Sequence, residues 1–96
     1  MAATFIEVSG VEVNKDYIII EALETEKLLL AEDLYEDIEV PTVTYKFERK
    51  SSGHMKYLLR VLRSNKQAKD CKCMGEMLNK LIGQFIMLNS NFIAKA

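Results

Sequence analysis

Directly after its only proline, the chain alternates between apolar and polar residues. Over residues 42–49, the apolar side chains of Val43, Tyr45 and Phe47 are separated by polar ones. Successive side chains of a strand point to opposite faces, so a period of two predicts a strand with one buried face. Pro41 disfavours helical geometry in the residue before it and separates this strand from the preceding segment. A half-buried strand needs neighbours, so the chain is expected to build a sheet.

Other short segments are candidate neighbours for this strand. Residues 4–8, 11–13 and 55–62 are predicted to be extended, the last because its odd positions are apolar. Turn-like residues 51–54 would join 55–62 to the alternating strand as a central hairpin, and Ser9-Gly10 would join the first two segments. The expected architecture is α+β: a small antiparallel sheet, made of an N-terminal strand and the central hairpin, with helices packed on one face.

Two helices are predicted to cover this sheet, and the first spans residues 22–35. Within it, Leu23 and Leu34 share one face, while acidic residues face water. The stretch 17–20 before it is rich in residues that favour strands. It would either open the helix behind an Asn14 cap or prolong the preceding strand.

The second predicted helix is long and covers residues 65–95. Its apolar side chains recur at spacings of three and four residues, as in helices that pack on one another. The positions are Cys71, Met74, Leu78, Leu81, Phe85, Leu88 and Phe92. An unbroken helix would measure about 46 Å at 1.5 Å per residue, whereas a domain of this size has a radius of gyration of about 12–13 Å. Either Gly83 breaks the helix, or its C-terminal half is buried in a second copy.

The 96 residues, 49% of them apolar, suffice for one core, so a single domain is expected over residues 1–96. Residues 84–96 extend beyond what that core covers and are predicted to associate with a second copy as a homodimer. The predicted dimer interface consists of Leu81, Phe85, Ile86, Leu88, Phe92 and Ile93. The competing expectation is a chain that turns at Gly83, folds back on its own sheet and stays monomeric.

The sequence also bears on location. Its strictly apolar runs are far shorter than the roughly 18 residues that cross a bilayer. No basic region precedes an apolar stretch near residue 1, so a secretory signal is not expected. The predicted location is the cytoplasm or the nucleus, without membrane association.

Charge is divided unevenly along the chain. Residues 1–41 carry eleven carboxylates and two lysines, whereas residues 42–96 carry eleven basic residues and three carboxylates. The halves thus have net charges of −9 and +8, although the whole chain carries only −1. Such asymmetry favours a charged partner, either a polyanion for the basic half or a basic protein for the acidic half. The alternative is that the halves neutralise each other within the fold or across a dimer.

Residue types suited to catalysis or metal binding are sparse. Cys71 and Cys73 lie two apart, so on a helix their thiols point about 200° apart and do not converge with His54, the only histidine. The acidic cluster within residues 32–37 is interpreted as a solvated helix face, because nothing places further ligands opposite it. Glycine-rich phosphate loops and nucleophile elbows are missing. We therefore expect no metal, no cofactor and no enzymatic activity, with both cysteines free.

Basic residues are concentrated between the predicted hairpin and the start of the last helix. Ten basic side chains, His54 included, fall between residues 46 and 72. The first turn of a helix also presents free backbone N–H groups and the positive end of its dipole, which favour phosphate. The predicted nucleic-acid-binding residues are Lys50, Gly53, His54, Lys56, Ser64, Lys66 and Lys69. The alternative is a basic surface that only keeps the protein soluble.

The order of elements resembles a double-stranded-RNA-binding domain over roughly residues 22–83. The pattern is a helix, a Pro-x-x-x-Tyr strand, a Gly-His turn, a second strand, and Ser-x-Lys-x-Ala-Lys opening a helix. It rests on Pro41, Tyr45, Gly53, His54, Ser64, Lys66, Ala68 and Lys69. The resemblance implies that Gly53 and His54 lie near a minor groove and that Lys66 and Lys69 contact phosphates. The family's third strand has almost no residues to occupy here, and residues 4–8 are the candidate for it.

The predicted function is a non-enzymatic nucleic-acid-binding module with double-stranded RNA as the favoured partner. The alternative is a protein-interaction or dimerisation module, or a small regulatory inhibitor, that acts through the acidic N-terminal half. A separate alternative concerns residues 51–55, whose Ser-Ser-Gly-His-Met string also resembles a cloning linker. A chain joined there would be a chimera, and its charge division would then have a trivial origin.

Overall fold

The protein is represented by a computed structural model, which describes residues 3–24 and 42–94. These residues form β1 (Ala3–Val13), β2 (Tyr17–Glu24), β3 (Thr42–Glu48), α1 (Ser52–Ser64), α2 (Met74–Leu81), β4 (Phe85–Asn89) and the 3-10 helix Ser90–Phe92. One antiparallel sheet combined with helices confirms the predicted α+β class.

The strands follow the order β3-β2-β1-β4, so β1 is paired on both sides. Ile6 of β1 lies opposite Ile86 of β4, and Ile20 of β2 lies opposite Tyr45 of β3. Residues that face each other across a ladder share a face of the sheet. Tyr45 and Phe47 are buried on that shared face, which confirms the alternation predicted for β3.

The Ser9-Gly10 pair is a β-bulge and not the predicted turn. The register between β1 and β2 shifts between Val8 and Gly10, so β2 offers no residue opposite Ser9. The extra residue brings Val11 onto the same face as Val8, although the two are three positions apart. β1 therefore runs on past the bulge, and residues 11–13 belong to it.

A turn at Asn14 connects β1 to β2. The Asn14 Oδ1 atom accepts hydrogen bonds from the N–H groups of Asp16 at 3.0 Å and Tyr17 at 2.7 Å. This is the Asx turn, in which an asparagine side chain replaces a backbone acceptor. Asn14 thus joins two strands, and the stretch 17–20 prolongs the sheet instead of opening a helix.

The first predicted helix is wrong at its beginning, because residues 22–24 are the end of β2. Ile18, Ile20 and Ala22 are all buried, a period of two that extends the strand over the expected helix start. The remainder of that prediction, residues 25–35, lies outside the described residues.

Residues 55–62, predicted to be the second strand of a hairpin, lie in helix α1. Their apolar residues Met55, Leu58, Leu59 and Leu62 follow the i, i+3, i+4, i+7 pattern of one helix face. Leu58 and Leu62 are fully buried in the core. The alternation at odd positions is incidental, because the even positions 58 and 62 carry the buried side chains.

The predicted helix over residues 65–95 is also wrong, since within residues 65–94 only Met74–Leu81 is α-helical. Asn65 ends α1 and starts a separate turn. Its Oδ1 atom accepts from the N–H groups of Gln67 at 3.0 Å and Ala68 at 3.1 Å. This turn places Ala68 in the core, fully buried.

Gly83 provides the second interruption. Its φ of 87° is in the left-handed region that glycine adopts readily. The Gly83 N–H donates to the Val8 carbonyl at 2.8 Å, and the Val8 N–H donates to the Gln84 carbonyl at 3.0 Å. These bonds return the chain to the sheet, where residues 85–89 pair with β1 as β4. The break at Gly83 is therefore the alternative that the structure shows.

The core lies between one face of the sheet and the two helices. Its largest fully buried side chains are Tyr45, Phe47, Ile6, Ile18, Ile20, Leu58, Leu62, Leu78, Leu81, Leu88 and Val8. Apart from the hydroxyl group of Tyr45, the buried side chains among the described residues are apolar. Removal of apolar area from water is thus the main contribution of this core to stability.

The chain that follows β4 crosses to the other edge of the sheet, so the sheet is curled. Ile93 forms an isolated bridge with Tyr45 of β3. The 3-10 helix places the Phe92 ring centroid 4.8 Å from that of Phe47 and 4.6 Å from that of Tyr57. The C-terminal segment therefore covers β3 and the start of α1.

Replacing Gly83 by Ala is expected to lower the free energy of unfolding by about 1–2 kcal/mol, because a Cβ atom disfavours the left-handed conformation. The matched control is Gly75→Ala in α2, where an added Cβ meets nothing within 4 Å. Alanine is favoured over glycine in helices by up to about 1 kcal/mol, so this control should be at least as stable as the wild type. Urea unfolding measures both changes. A Gly83→Ala midpoint equal to that of the wild type would contradict the left-handed turn.

Candidate nucleic-acid interface

Helix α1 presents three cations on one exposed face. Lys56, Arg60 and Arg63 follow one another at spacings of four and three residues, and all three are exposed. Together with Leu59 and Ser64 they line a surface depression of about 480 Å³. At 1.5 Å per residue, the row extends for about 10 Å along the helix axis. We call these three residues the α1 cation row.

The packing of α1 determines the direction of this row. Leu58 and Leu62 are buried against the sheet. Lys56 and Arg60 each lie two positions from a buried leucine, which places them about 200° around the helix. The cation row therefore points away from the core and into solvent.

The cation row costs the helix stability. α1 contains no acidic residue, and Lys56 and Arg60 are like charges at i and i+4. Such pairs destabilise an isolated helix by a few tenths of a kcal/mol. Among the described residues, no carboxylate forms an ion pair with the row. An external anion would remove this repulsion.

The start of α1 is held by its own side chains. The Ser51 Oγ atom accepts from the His54 N–H at 3.2 Å, which is a helix N-cap. The His54 Nδ1 atom accepts from the Glu48 N–H at 2.9 Å, and its ring meets Phe92 edge-on at 5.0 Å between centroids. Residues 51–55 are thus part of a capped and packed helix start.

Three of the predicted binding residues lie at this end of α1. His54 is half-buried and uses Nδ1 within the protein, so its observed role is to join α1 to β3. Gly53 is exposed in the first helical turn and not in a hairpin loop, which corrects the expected position of both residues. Lys50 follows β3 and lines a depression together with Asp16, Tyr17 and Glu48.

The other predicted residues lie at the far end of α1 and beyond it. Lys56 belongs to the cation row. The Ser64 hydroxyl donates within the helix to the carbonyls of Arg60 at 2.7 Å and Val61 at 3.1 Å. Lys66 and Lys69 are exposed in the connection that follows.

The expected phosphate site on free N–H groups of residues 64–69 is wrong. No helix begins there, since α2 starts at Met74. The N–H groups of Gln67 and Ala68 are already bonded to the Asn65 side chain. Lys66 and Lys69 thus contribute charge to this surface without the predicted helix dipole.

The predicted dimer residues are dispersed. Leu81 and Leu88 are fully buried in the chain's own core, so they are not available to a second copy. Phe92 stacks on neighbouring rings, and Ile93 pairs with β3. Ile86 is half-buried, and Phe85 is 54% exposed. The spacing of three and four residues does not form one seam, because it crosses from helix to strand at Gly83.

Arg60 and Arg63 were missed as site residues by sequence reasoning. The signal was present, because their spacing from Lys56 is that of a helix face. Assignment of residues 55–62 to a strand places Arg63 on the face opposite Lys56 and Arg60 and hides the row.

Other polar residues lie around a second surface depression. A depression of about 250 Å³ is lined by residues that include Tyr17, Lys46, Glu48 and His54. The Lys46 Nζ atom lies 3.9 Å from the centre of the Tyr17 ring. Cys71 is half-buried and Cys73 exposed, both as free thiols. Within residues 3–24 and 42–94, no three His, Cys, Asp or Glu side chains form a metal-binding group.

Comparisons with protein-family models, with curated proteins and with solved structures found no match to this chain. In the described segments, neither helix combines the length and apolar character that a membrane-spanning helix needs.

Replacing Ser51 by Ala is expected to lower the free energy of unfolding by about 1 kcal/mol, because the cap of α1 is lost. The matched control is Ser52→Ala, since Ser52 is exposed in the same turn and does not provide the cap. Its effect should be within about 0.5 kcal/mol. Urea unfolding of both variants provides the comparison. Equal stability of the two variants would contradict the role of Ser51 as the N-cap of α1.

Proposed function

We propose that this protein is a non-enzymatic nucleic-acid-binding module and that the α1 cation row is the centre of its contact surface. Lys66 and Lys69 continue the surface beyond the end of α1. Double-stranded RNA is the ligand we favour. The observation that carries the proposal is the row itself: three exposed cations at helical spacing, without an acidic residue in the same helix.

The chemistry of the row suits phosphate. Arg60 and Arg63 carry planar guanidinium groups, which bind phosphate oxygens through two parallel hydrogen bonds. Lys56 adds a compact charge on a flexible stem. Electrostatic contacts of this kind provide most of the sequence-independent affinity of nucleic-acid-binding proteins.

This surface is better suited to the sugar-phosphate backbone of a duplex than to the unstacked bases of a single strand. Proteins that bind single strands stack successive bases on exposed aromatic rings. The described residues that line the depression include no aromatic one. Tyr57, the aromatic residue of α1, stacks on Phe47 and Phe92 instead. A duplex, whose bases are already stacked, is the nucleic acid that such a surface fits.

The choice of RNA rests on the sequence resemblance of Ser64, Lys66, Ala68 and Lys69 alone, since the helix that this string opens in the resemblance does not begin here. Lys66 and Lys69 are exposed, as contact with phosphates requires. The hairpin part of the resemblance does not support the proposal, since Gly53 and His54 lie in α1. The cytoplasm or the nucleus would provide such a ligand.

Binding of the unmodified chain to an RNA duplex is expected to weaken steeply as salt rises, because phosphate contacts release counterions. The variant with Lys56→Gln, Arg60→Gln and Arg63→Gln should bind more weakly, and its slope of log affinity against log salt should fall by about one for each cation removed. Fluorescence anisotropy with a labelled duplex measures both quantities. Lys15→Gln, a neutralisation in the β1–β2 turn, should leave the slope close to that of the wild type.

An unchanged slope in the triple variant would overturn the assignment to the cation row. No binding by the unmodified chain at low salt would overturn the function itself and favour the acidic half as a protein-binding surface. Circular dichroism of each variant establishes that a loss of binding is not a loss of fold.

The double variant Lys66→Gln and Lys69→Gln tests the extension of the surface. Its salt slope should fall by about two, one for each lysine, with the triple variant still the weaker binder. The same anisotropy titration provides the comparison. A larger loss in the double variant than in the triple variant would place the centre of binding in the connection after α1.

A further inference from the structure

The two edges of the sheet differ in how the chain covers them. β3 is bonded by the C-terminal segment: Ile93 bridges Tyr45, and the Ala94 N–H donates to the Thr44 carbonyl at 2.8 Å. β4 pairs with β1 on one side, and no described residue forms a ladder on its other side. Such an edge presents N–H and C=O groups that accept a further strand.

β4 lacks the features that commonly protect an edge strand. Its sequence, Phe-Ile-Met-Leu-Asn, contains neither a charged residue nor a proline. Phe85 is 54% exposed and Met87 58%, and both lie on the face opposite the core. Phe5 of β1, 46% exposed, stacks on Phe85 with 5.9 Å between ring centroids. We call these three side chains the β4 patch.

The ladder with β1 determines which groups of β4 point outward. The Val8 N–H donates to the Gln84 carbonyl, and pairs in an antiparallel ladder alternate between bonded and non-bonded. Ile86, two residues after Gln84, therefore directs its backbone groups toward β1. Phe85 and Met87, on either side of it, direct theirs to the other side of β4, where no described residue forms a ladder.

The far end of this edge is already occupied. The Asn89 N–H donates to the Tyr57 hydroxyl oxygen at 2.8 Å. The outward-facing backbone groups therefore belong to Phe85 and Met87, which are placed symmetrically about Ile86. When a strand pairs with its own copy about a two-fold axis, the residues that form the hydrogen bonds must be placed symmetrically about that axis.

We propose that β4 pairs antiparallel with β4 of a second copy of this chain, about a two-fold axis at Ile86. In this register, Phe85 exchanges two backbone hydrogen bonds with Met87 of the partner subunit, and Met87 does the same with Phe85 of the partner subunit. Each pair sets a thioether beside an aromatic ring, a favourable contact. The two β4 patches then form one continuous apolar strip across the joined sheets.

The size of the patch indicates a reversible dimer. Taking about 200 Å² for a large side chain, the three exposed fractions leave roughly 300 Å² of apolar surface per copy. Two copies provide about 600 Å² plus backbone, below the roughly 1,200 Å² of standard stable interfaces. Dimerisation is therefore concentration-dependent. It involves none of the cations of α1, so it is independent of the proposed function.

Sedimentation equilibrium of the unmodified chain, from low micromolar to millimolar concentration, tests the proposal. The average mass should rise from 11.0 kDa toward twice that value as concentration increases. Met87→Lys should abolish the increase, because a lysine on an open edge strand disfavours strand pairing. The matched control is Ile82→Lys, at an exposed residue (46%) outside β4, which should leave the increase unchanged.

Amide hydrogen exchange of the unmodified chain adds a measurement that needs no variant. The N–H groups of Phe85 and Met87 should exchange more slowly at high concentration than at low concentration, whereas that of Asn89 should not change. A mass of 11.0 kDa throughout overturns the proposal. So does a dimer that persists in Met87→Lys, is lost equally in Ile82→Lys, or forms without slower exchange at Phe85 and Met87.

Discussion

Two hydrogen bonds between β1 and the turn at Gly83 determine the path of the C-terminal part of the chain. The Gly83 N–H donates to the Val8 carbonyl, and the Val8 N–H donates to the Gln84 carbonyl. They set the register of β4, so Ile86 lies opposite Ile6 and Leu88 enters the core. The same turn is linked to the end of α1, because the Asn65 Nδ2 group donates to the Gln84 Oε1 atom at 2.8 Å. The turn is therefore held by both the sheet and the helix.

Two opposing energy contributions act on helix α1, namely burial of its apolar side and repulsion within the cation row. Their relative size explains why the helix is stable with the row. Burial of Leu58 and Leu62 contributes about 1.5–3 kcal/mol for each side chain. Repulsion between Lys56 and Arg60 costs only a few tenths of a kcal/mol. Packing of the apolar side thus outweighs the electrostatic cost on the exposed side. The helix can present a row of like charges because its core-facing side supplies the stability.

The apolar pattern predicted secondary structure correctly where it fitted only one of the two periods, that of a strand or that of a helix. In β3, only a period of two fits, and the strand formed as predicted. Residues 55–62 satisfy both periods, because Met55 and Leu59 belong to the odd-position alternation and also to the helical face completed by Leu58 and Leu62. In residues 55–62, the choice between strand and helix depended on which of these two groups of apolar side chains could pack against the rest of the core. The α1 cation row could not be predicted for the same reason, since its three cations share a face only when residues 55–62 form a helix.

The sequence by itself determined the α+β class, the position of β3 and the concentration of basic residues after residue 42. These properties arise from composition and from neighbouring residues, so they can be derived without distant contacts. Only the tertiary structure decided that residues 71–92 divide into helix, turn and strand, and that Ser9 is a bulge. The physical reason is that spacing shows which side chains can share a face but not which surface they meet. For the turn at Gly83, the partner is the backbone of Val8 in β1. Val8 is close to Gly83 in space but distant from it along the chain.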